Sequence, residues 1–211
     1  EYRKAMELSD RDFQRIDRHC QSIDLPWFVS PLDGHSVERF EQYDLPAYKV
    51  ASPKLTDTLL LQRLASSGRT LLVSTGMSDT VQIETAVNLL PRDRTVLLHA
   101  VSAYPCEDGH INLRALDTLR TLFPDINLGY SGHEKGIWPS LAAKALGACV
   151  IERHFTLDRT AWGSDQAASL EPTGFSQLVK GVRSIEAALQ GDGQKVLQQH
   201  EMANFQKFRV A

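Results

Sequence analysis

The chain has 211 residues, 42% hydrophobic and 23% charged, with a formal net charge of −3 and no run of Lys or Arg. That length buries the core of one large domain, and the charge argues against nucleic acid or an anionic membrane as a standing partner. The three cysteines, Cys20, Cys106 and Cys149, share no close spacing, which argues against a disulfide framework or a cysteine metal knot and suits a reducing cytoplasm.

In chain order, a helix is expected from Glu1 to about Cys20. No apolar run approaches the roughly 20 residues of a membrane helix, and nothing like a signal peptide follows Glu1-Tyr2-Arg3-Lys4, so a soluble, cytoplasmic protein is expected. Six short apolar runs then recur: Trp27-Phe28-Val29, Tyr48-Lys49-Val50, Leu71-Leu72-Val73, Val96-Leu97-Leu98, Asn127-Leu128-Gly129-Tyr130 and Cys149-Val150-Ile151. Between them lie stretches with apolar residues at helical spacing, such as Leu59, Leu60 and Leu64, or Ile83, Ala86, Val87 and Leu90. Strands alternating with helices imply parallel pairing, and the apolar character of the runs implies burial on both faces.

Nearly every run ends in polar groups: Ser30, Ser52, Ser74-Thr75, His99 with Ser102, Ser131 with His133, Glu152 with His154. In a (β/α)8 barrel all C-terminal strand ends converge on one mouth, whereas an open sheet gathers ligand groups at its switch point. The expected fold is therefore α/β, a (β/α)8 TIM barrel that lacks its first two strands in this chain. Residues 1–190 make the partial barrel, with a last helix from about Pro172 to Gln190, and residues 191–211 form a polar tail.

His99 ends one strand and His133 follows the next, which predicts two imidazoles at the barrel mouth able to hold a divalent ion with open coordination positions. The alternative is that each histidine only hydrogen-bonds at a strand end. Lys49 lies inside an apolar strand and must meet an anion or lose its proton. A phosphate, a carboxylate or an internal ion pair with Glu152 would satisfy it. Ser74-Thr75-Gly76-Met77-Ser78 places hydroxyls and a glycine where strand passes to loop, suited to an anion's oxygens or simply to the turn and cap. Alternation puts Glu152 and His154 on one face and Arg153 on the other, where a solvated or helix-contacting role is expected.

Six segments in order, Tyr48-Lys49-Val50-Ala51-Ser52, Ser74-Thr75-Gly76-Met77, His99-Ala100-Val101-Ser102-Ala103-Tyr104-Pro105, Gly129-Tyr130-Ser131-Gly132-His133, Glu152-Arg153-His154-Phe155-Thr156-Leu157-Asp158 and Ala168-Ser169-Leu170-Glu171-Pro172, resemble the N-acetylneuraminate synthase family. The likeness runs from about Phe28 to Leu189. It implies a metal-dependent condensation of phosphoenolpyruvate with an N-acetylmannosamine-type sugar aldehyde. It implies Mn2+ or Mg2+ on His99 and His133; with Glu152, whose strand position facing the barrel suits proton transfer, the candidate catalytic set is Lys49, Glu152 and His133. The substrate contacts would be Lys49, Ser52, Thr75, Ser78, Ser102, Tyr104 and Asp165. Synthases of pseudaminic, legionaminic or spore-coat sugar acids would share these motifs, and a non-catalytic barrel fragment that binds metal or phosphate is the alternative from another class.

Two departures from the family pattern stand out: Lys54, where an acidic residue is usual, and Asp165-Gln166, where Asp-His is frequent. The family's first two barrel strands and its C-terminal antifreeze-like domain have no counterpart here. Glu201-Met202-Ala203-Asn204 resembles the linker to that domain, and a homodimer is expected of the full-length protein.

Overall fold

The computed structural model describes residues 7–209. The first helix, α1 (Asp10–Ser22), starts where Ser9 and Asp12 form a reciprocal capping box, which supplies acceptors to backbone N–H groups that no helical turn serves. The part of the expected helix at Glu1 to Met6 lies outside the described residues. After α2 (Gly34–Phe40) come five strands, β1 (Ala47–Val50), β2 (Thr70–Ser74), β3 (Thr95–Ala100), β4 (Asn127–Gly132) and β5 (Ile151–Arg153). They alternate with α3 (Thr58–Ala65), α4 (Thr80–Val87), α5 (Ala115–Leu122) and α6 (Trp138–Ala145), and α7 (Pro172–Ala188) follows β5. Asp57 and Asp79 cap α3 and α4 through their side chains, so the strand-to-helix turns are set by local hydrogen bonding.

All strand pairs are parallel, in the order β1-β2-β3-β4-β5, which makes a curled half-barrel. Six strands were expected; the first run contributes a single bridge, Val29 to Tyr48, with the Lys49 N–H donating to the Val29 carbonyl at 2.9 Å. The reason is local. Pro26 brings no N–H to a ladder, and Trp27 turns away to donate its Nε1 to Asp17 at 3.0 Å and to pack edge-on against Tyr43.

Side-chain alternation divides each strand between two environments. Tyr48, Val50, Leu71, Val73, Leu97, Leu128 and Tyr130 join Leu61, Leu64, Val87, Leu116 and Leu119 of the helices in the main core. At about 1.5–3 kcal/mol for each fully buried large aliphatic side chain, this sheet–helix interface dominates the stability. The opposite, inner face carries a smaller cluster, Leu72, Val96 and Leu98 with Val150, together with the polar groups considered next. Beyond α7, the expected tail contains a short helix, α8 (Met202–Phe208). Among the described residues no helix is long and apolar enough to cross a membrane.

Candidate active site

At the C-terminal ends of the strands, on the inner face, is a cavity of about 420 Å³. Its walls include Lys49 from β1, Ser52 and Ser74 after β1 and on β2, Ser131 and His133 at the end of β4, Glu152 and His154 at β5, and Tyr104 from the loop after β3. The register of β4 on β5 sets Ser131 opposite Glu152, and the Ser131 hydroxyl donates to Glu152 Oε1 at 2.8 Å. Glu152 Oε2 lies 3.6 Å from Lys49 Nζ. Burial pushes the Lys49 ammonium below its ordinary pKa, while Glu152 pulls it back up. Lys49 also donates to the Val50 carbonyl at 3.0 Å. The internal ion pair is thus present, and one face of it is turned to the cavity.

His133 donates from Nδ1 to the Val101 carbonyl at 2.7 Å, which leaves Nε2 with its lone pair free. Burial, together with the neighbouring His154, pushes the His133 pKa below its ordinary value. His154 stands with its ring centroid 5.3 Å from that of His133, and Tyr104 packs on His133 at 4.2 Å. Asp165 Oδ2 is 3.8 Å from His154 Nδ1. Among the described residues no group of three or more His, Cys, Asp or Glu side chains is arranged to hold a metal. The donor set at the mouth is a pair of imidazoles, which fits a divalent ion whose other positions are taken by oxygens from outside the chain.

Around Gly76 the hydroxyls converge. Its N–H donates to Ser52 Oγ at 3.1 Å. A Cβ at this position would collide with Ser102 Oγ and stand 2.7 Å from Ser52 Oγ. The hydroxyls of Ser74 and Ser102 are buried without a partner. Buried unsatisfied hydroxyls are costly, and beside the buried Gly76 turn they offer donors to an anion's oxygens.

The sequence-predicted set is divided by the fold. Lys49, Ser52, Tyr104, His133 and Glu152 meet at the inner cavity. His99 does not. It belongs to the outer face of β3, its Nε2 bonded to the Ile111 carbonyl at 2.8 Å and its ring 6.1 Å from Tyr130. Burial pushes its pKa down, and it lines a separate cavity of about 740 Å³ beside α4 and α5. The expected pairing of His99 with His133 on one ion is therefore corrected: the imidazole that faces His133 is His154. Thr75 and Ser78 line that outer cavity too; the Thr75 hydroxyl donates to the Leu98 carbonyl at 3.1 Å and that of Ser78 points to the Gly76 carbonyl at 3.4 Å. Ser102 lines the outer cavity as well, with its Oγ against Gly76. The fold packs Leu98 on the inner face, and alternation along the strand then turns His99 outward.

For Arg153 the helix-contacting role holds, with Nη1 donating to Ser140 Oγ of α6 at 3.2 Å, and the solvated one does not. Its side chain has no exposure, nor does that of Glu134, with which it pairs at 3.0 Å, because the helix side of β5 is covered by the loop after β4. Of the two departures, Lys54 pairs with Asp57 at 3.1 Å, and Gln166 bonds locally to the Asp165 N–H and the Trp162 carbonyl.

The NeuB family model matches residues 1–195. The chain belongs to the NeuB family. This NeuB chain is 39% identical over 206 residues to the N-acetylneuraminate-9-phosphate synthase of Homo sapiens, covering 96% of the chain and 57% of that protein. It is 35% identical to the N,N'-diacetyllegionaminic acid synthase of Campylobacter jejuni, covering 95% of the chain and 61% of that protein. The chain therefore spans less than two thirds of these relatives. In structure it is similar to the N-acetylneuraminic acid synthetase of Leptospira borgpetersenii, with a TM-score of 0.86 at 32% identity, covering 95% of this chain and 70% of that one.

Proposed function

We propose that this NeuB chain forms part of a (β/α)8 barrel that condenses phosphoenolpyruvate with an open-chain N-acyl amino sugar to give a nonulosonic acid and phosphate. One observation carries the reading: a single cavity holds a buried cation, Lys49, the hydroxyls of Ser52 and Ser74 and a facing imidazole pair. These are the groups needed to hold a small phosphorylated carboxylate beside a polarised carbonyl. Membership of the NeuB family and similarity to sialic and legionaminic acid synthases point the same way.

In this reading Lys49 and the hydroxyls of Ser52, Ser74 and Ser102 hold the phosphate and carboxylate of phosphoenolpyruvate, setting its methylene carbon against the aldehyde. His133 and His154 would hold Mn2+ or Mg2+, which when bound polarises the sugar's carbonyl oxygen. Attack leaves a cationic carbon at the enol position, and water adds there. Glu152, held by Ser131 and Lys49, takes a proton from that water at Oε2. The tetrahedral centre then expels phosphate by carbon–oxygen cleavage, its charge met by Lys49; the remaining hydroxyl proton of that centre leaves with the phosphate, and the proton on Glu152 passes to the former aldehyde oxygen. Residues 1–190 supply the barrel part and 191–211 a linker. A cytoplasmic location and a homodimer belong to the same reading.

The test is phosphate release and product mass with phosphoenolpyruvate, Mn2+ and a panel of amino sugars that includes N-acetylmannosamine and the diacetylated precursors of legionaminic and pseudaminic acids. Metal-dependent release with one sugar supports the reading and names the substrate. No release with any of them, from folded full-length protein, overturns it in favour of a non-catalytic barrel.

A further inference from the structure

Behind the wall that carries the two facing histidines lies a buried ionic network that the proposed chemistry does not use. Glu134 follows His133 and Arg153 precedes His154, so the pair spans β4 and β5 one residue away from each ring. Neither side chain is exposed, and Arg153 Nη1 lies 3.0 Å from Glu134 Oε1. Glu134 also accepts from the Tyr130 hydroxyl at 2.9 Å and the Ser140 hydroxyl at 2.6 Å. Arg153 donates to the carbonyls of Gly136 at 2.6 Å, Glu134 at 2.6 Å and Ala168 at 3.2 Å. One guanidinium thus ties together the loop after β4, the first turn of α6 and the segment before α7.

The fold makes room for this at a cost. A buried ion pair gains little over apolar packing of the same volume, and Arg153 Nε is left without a partner. Gly132 is opposite Arg153 in the ladder, and a Cβ there would collide with Glu134 Oε2 and stand 2.7 Å from the Tyr130 ring. Only glycine lets the network close against the strand. Alternation then sends His133 and His154 through to the inner face, where Ser131 and Glu152 already pair.

We infer that the Glu134–Arg153 pair is a positioning device that sets the separation and orientation of the His133 and His154 rings from the far side of the wall. The inference rests on the proposed function for what the rings hold, and not for the geometry itself. Outer partners that orient imidazole ligands change metal affinity by about 10- to 100-fold when removed, so the effect should be read as binding and not only as stability.

The experiment compares Arg153→Lys, Tyr130→Phe and Ser140→Ala with wild type in the full-length protein, with the core variant Leu116→Ala as a control of lowered stability. Mn2+ binding is followed by the electron-paramagnetic signal of the free ion, and the imidazole nitrogens of the metal-free protein by 15N NMR. Arg153→Lys should weaken Mn2+ binding by about 10-fold, with smaller losses for the other two and shifted His133 and His154 signals in all three. Leu116→Ala should lower Tm and move neither readout. Variants that lower Tm as the control does, with Mn2+ affinity and imidazole signals unchanged, would overturn the inference. If Arg153→Lys does not fold, Tyr130→Phe, which removes one hydrogen bond, and Ser140→Ala, which removes two, decide. Wild type that binds no Mn2+ counts against the proposed function, while the metal-free NMR comparison still decides the positioning.

Discussion

His133 and His154 face each other at the ends of adjacent strands with 5.3 Å between ring centroids, while His99, one strand away, gives its Nε2 to the Ile111 carbonyl. The expected outcome is that His133→Ala and His154→Ala each weaken Mn2+ binding by more than about 10-fold, since a lost ligand costs more than a lost outer partner. His99→Gln should leave it unchanged. Calorimetric titration of the three variants checks this, and equal loss in His99→Gln would return that residue to the metal site.

Lys49 is held by Glu152 but turned to the cavity. Lys49→Ala should weaken phosphoenolpyruvate binding by about 1.5–3 kcal/mol, the worth of a charge-assisted contact. It should also cost some stability, because Glu152 loses its partner. Unchanged affinity beside a large fall in Tm would make the pair purely structural.

Gly76→Ala places a methyl group against Ser52 and Ser102. Overpacking of this kind costs about 1–3 kcal/mol in stability. The larger expected effect is on the anion: binding of phosphoenolpyruvate, and its competition by inorganic phosphate, should both be lost. Phosphate that still competes in a folded Gly76→Ala protein places the anion elsewhere.

Acid should destabilise the metal-free protein through its buried imidazoles. His99 and His133 have pKa values pushed by burial below the ordinary 6.5, so below that pH the unfolded chain binds protons that the folded chain refuses. Stability is unaffected by these groups above about pH 6.5 and is lost as pH falls from there through the lowered folded values, by at most about 1.4 kcal/mol per pH unit for each group. Urea midpoints measured from about pH 8 to about pH 5 should show this slope, and His99→Gln should make it shallower. Parallel profiles for wild type and His99→Gln would show that His99 does not titrate with unfolding.

Much of this was legible in the residues alone. The order of parallel strands and covering helices follows from short apolar runs separated by helical periodicity, and Tyr48-Lys49-Val50 announced a buried cation because nothing else in the strand is charged. The first run failed as a strand because Trp27 found better partners in Asp17 and Tyr43 than in a ladder. That competition is tertiary.

Which face each histidine takes was a matter for the fold. In Val96-Leu97-Leu98-His99-Ala100 both parities are apolar up to the histidine, so periodicity does not say which is inside. Curvature of the sheet decided it by packing Leu97 against the helices and Leu98 against Val96 and Leu72, which sends His99 out. At Glu152-Arg153-His154 charge alternates, so the shared face of Glu152 and His154 could be read directly. The partner that buries Arg153 could not, because Glu134 lies on another strand's loop and only the β4–β5 register brings the two together.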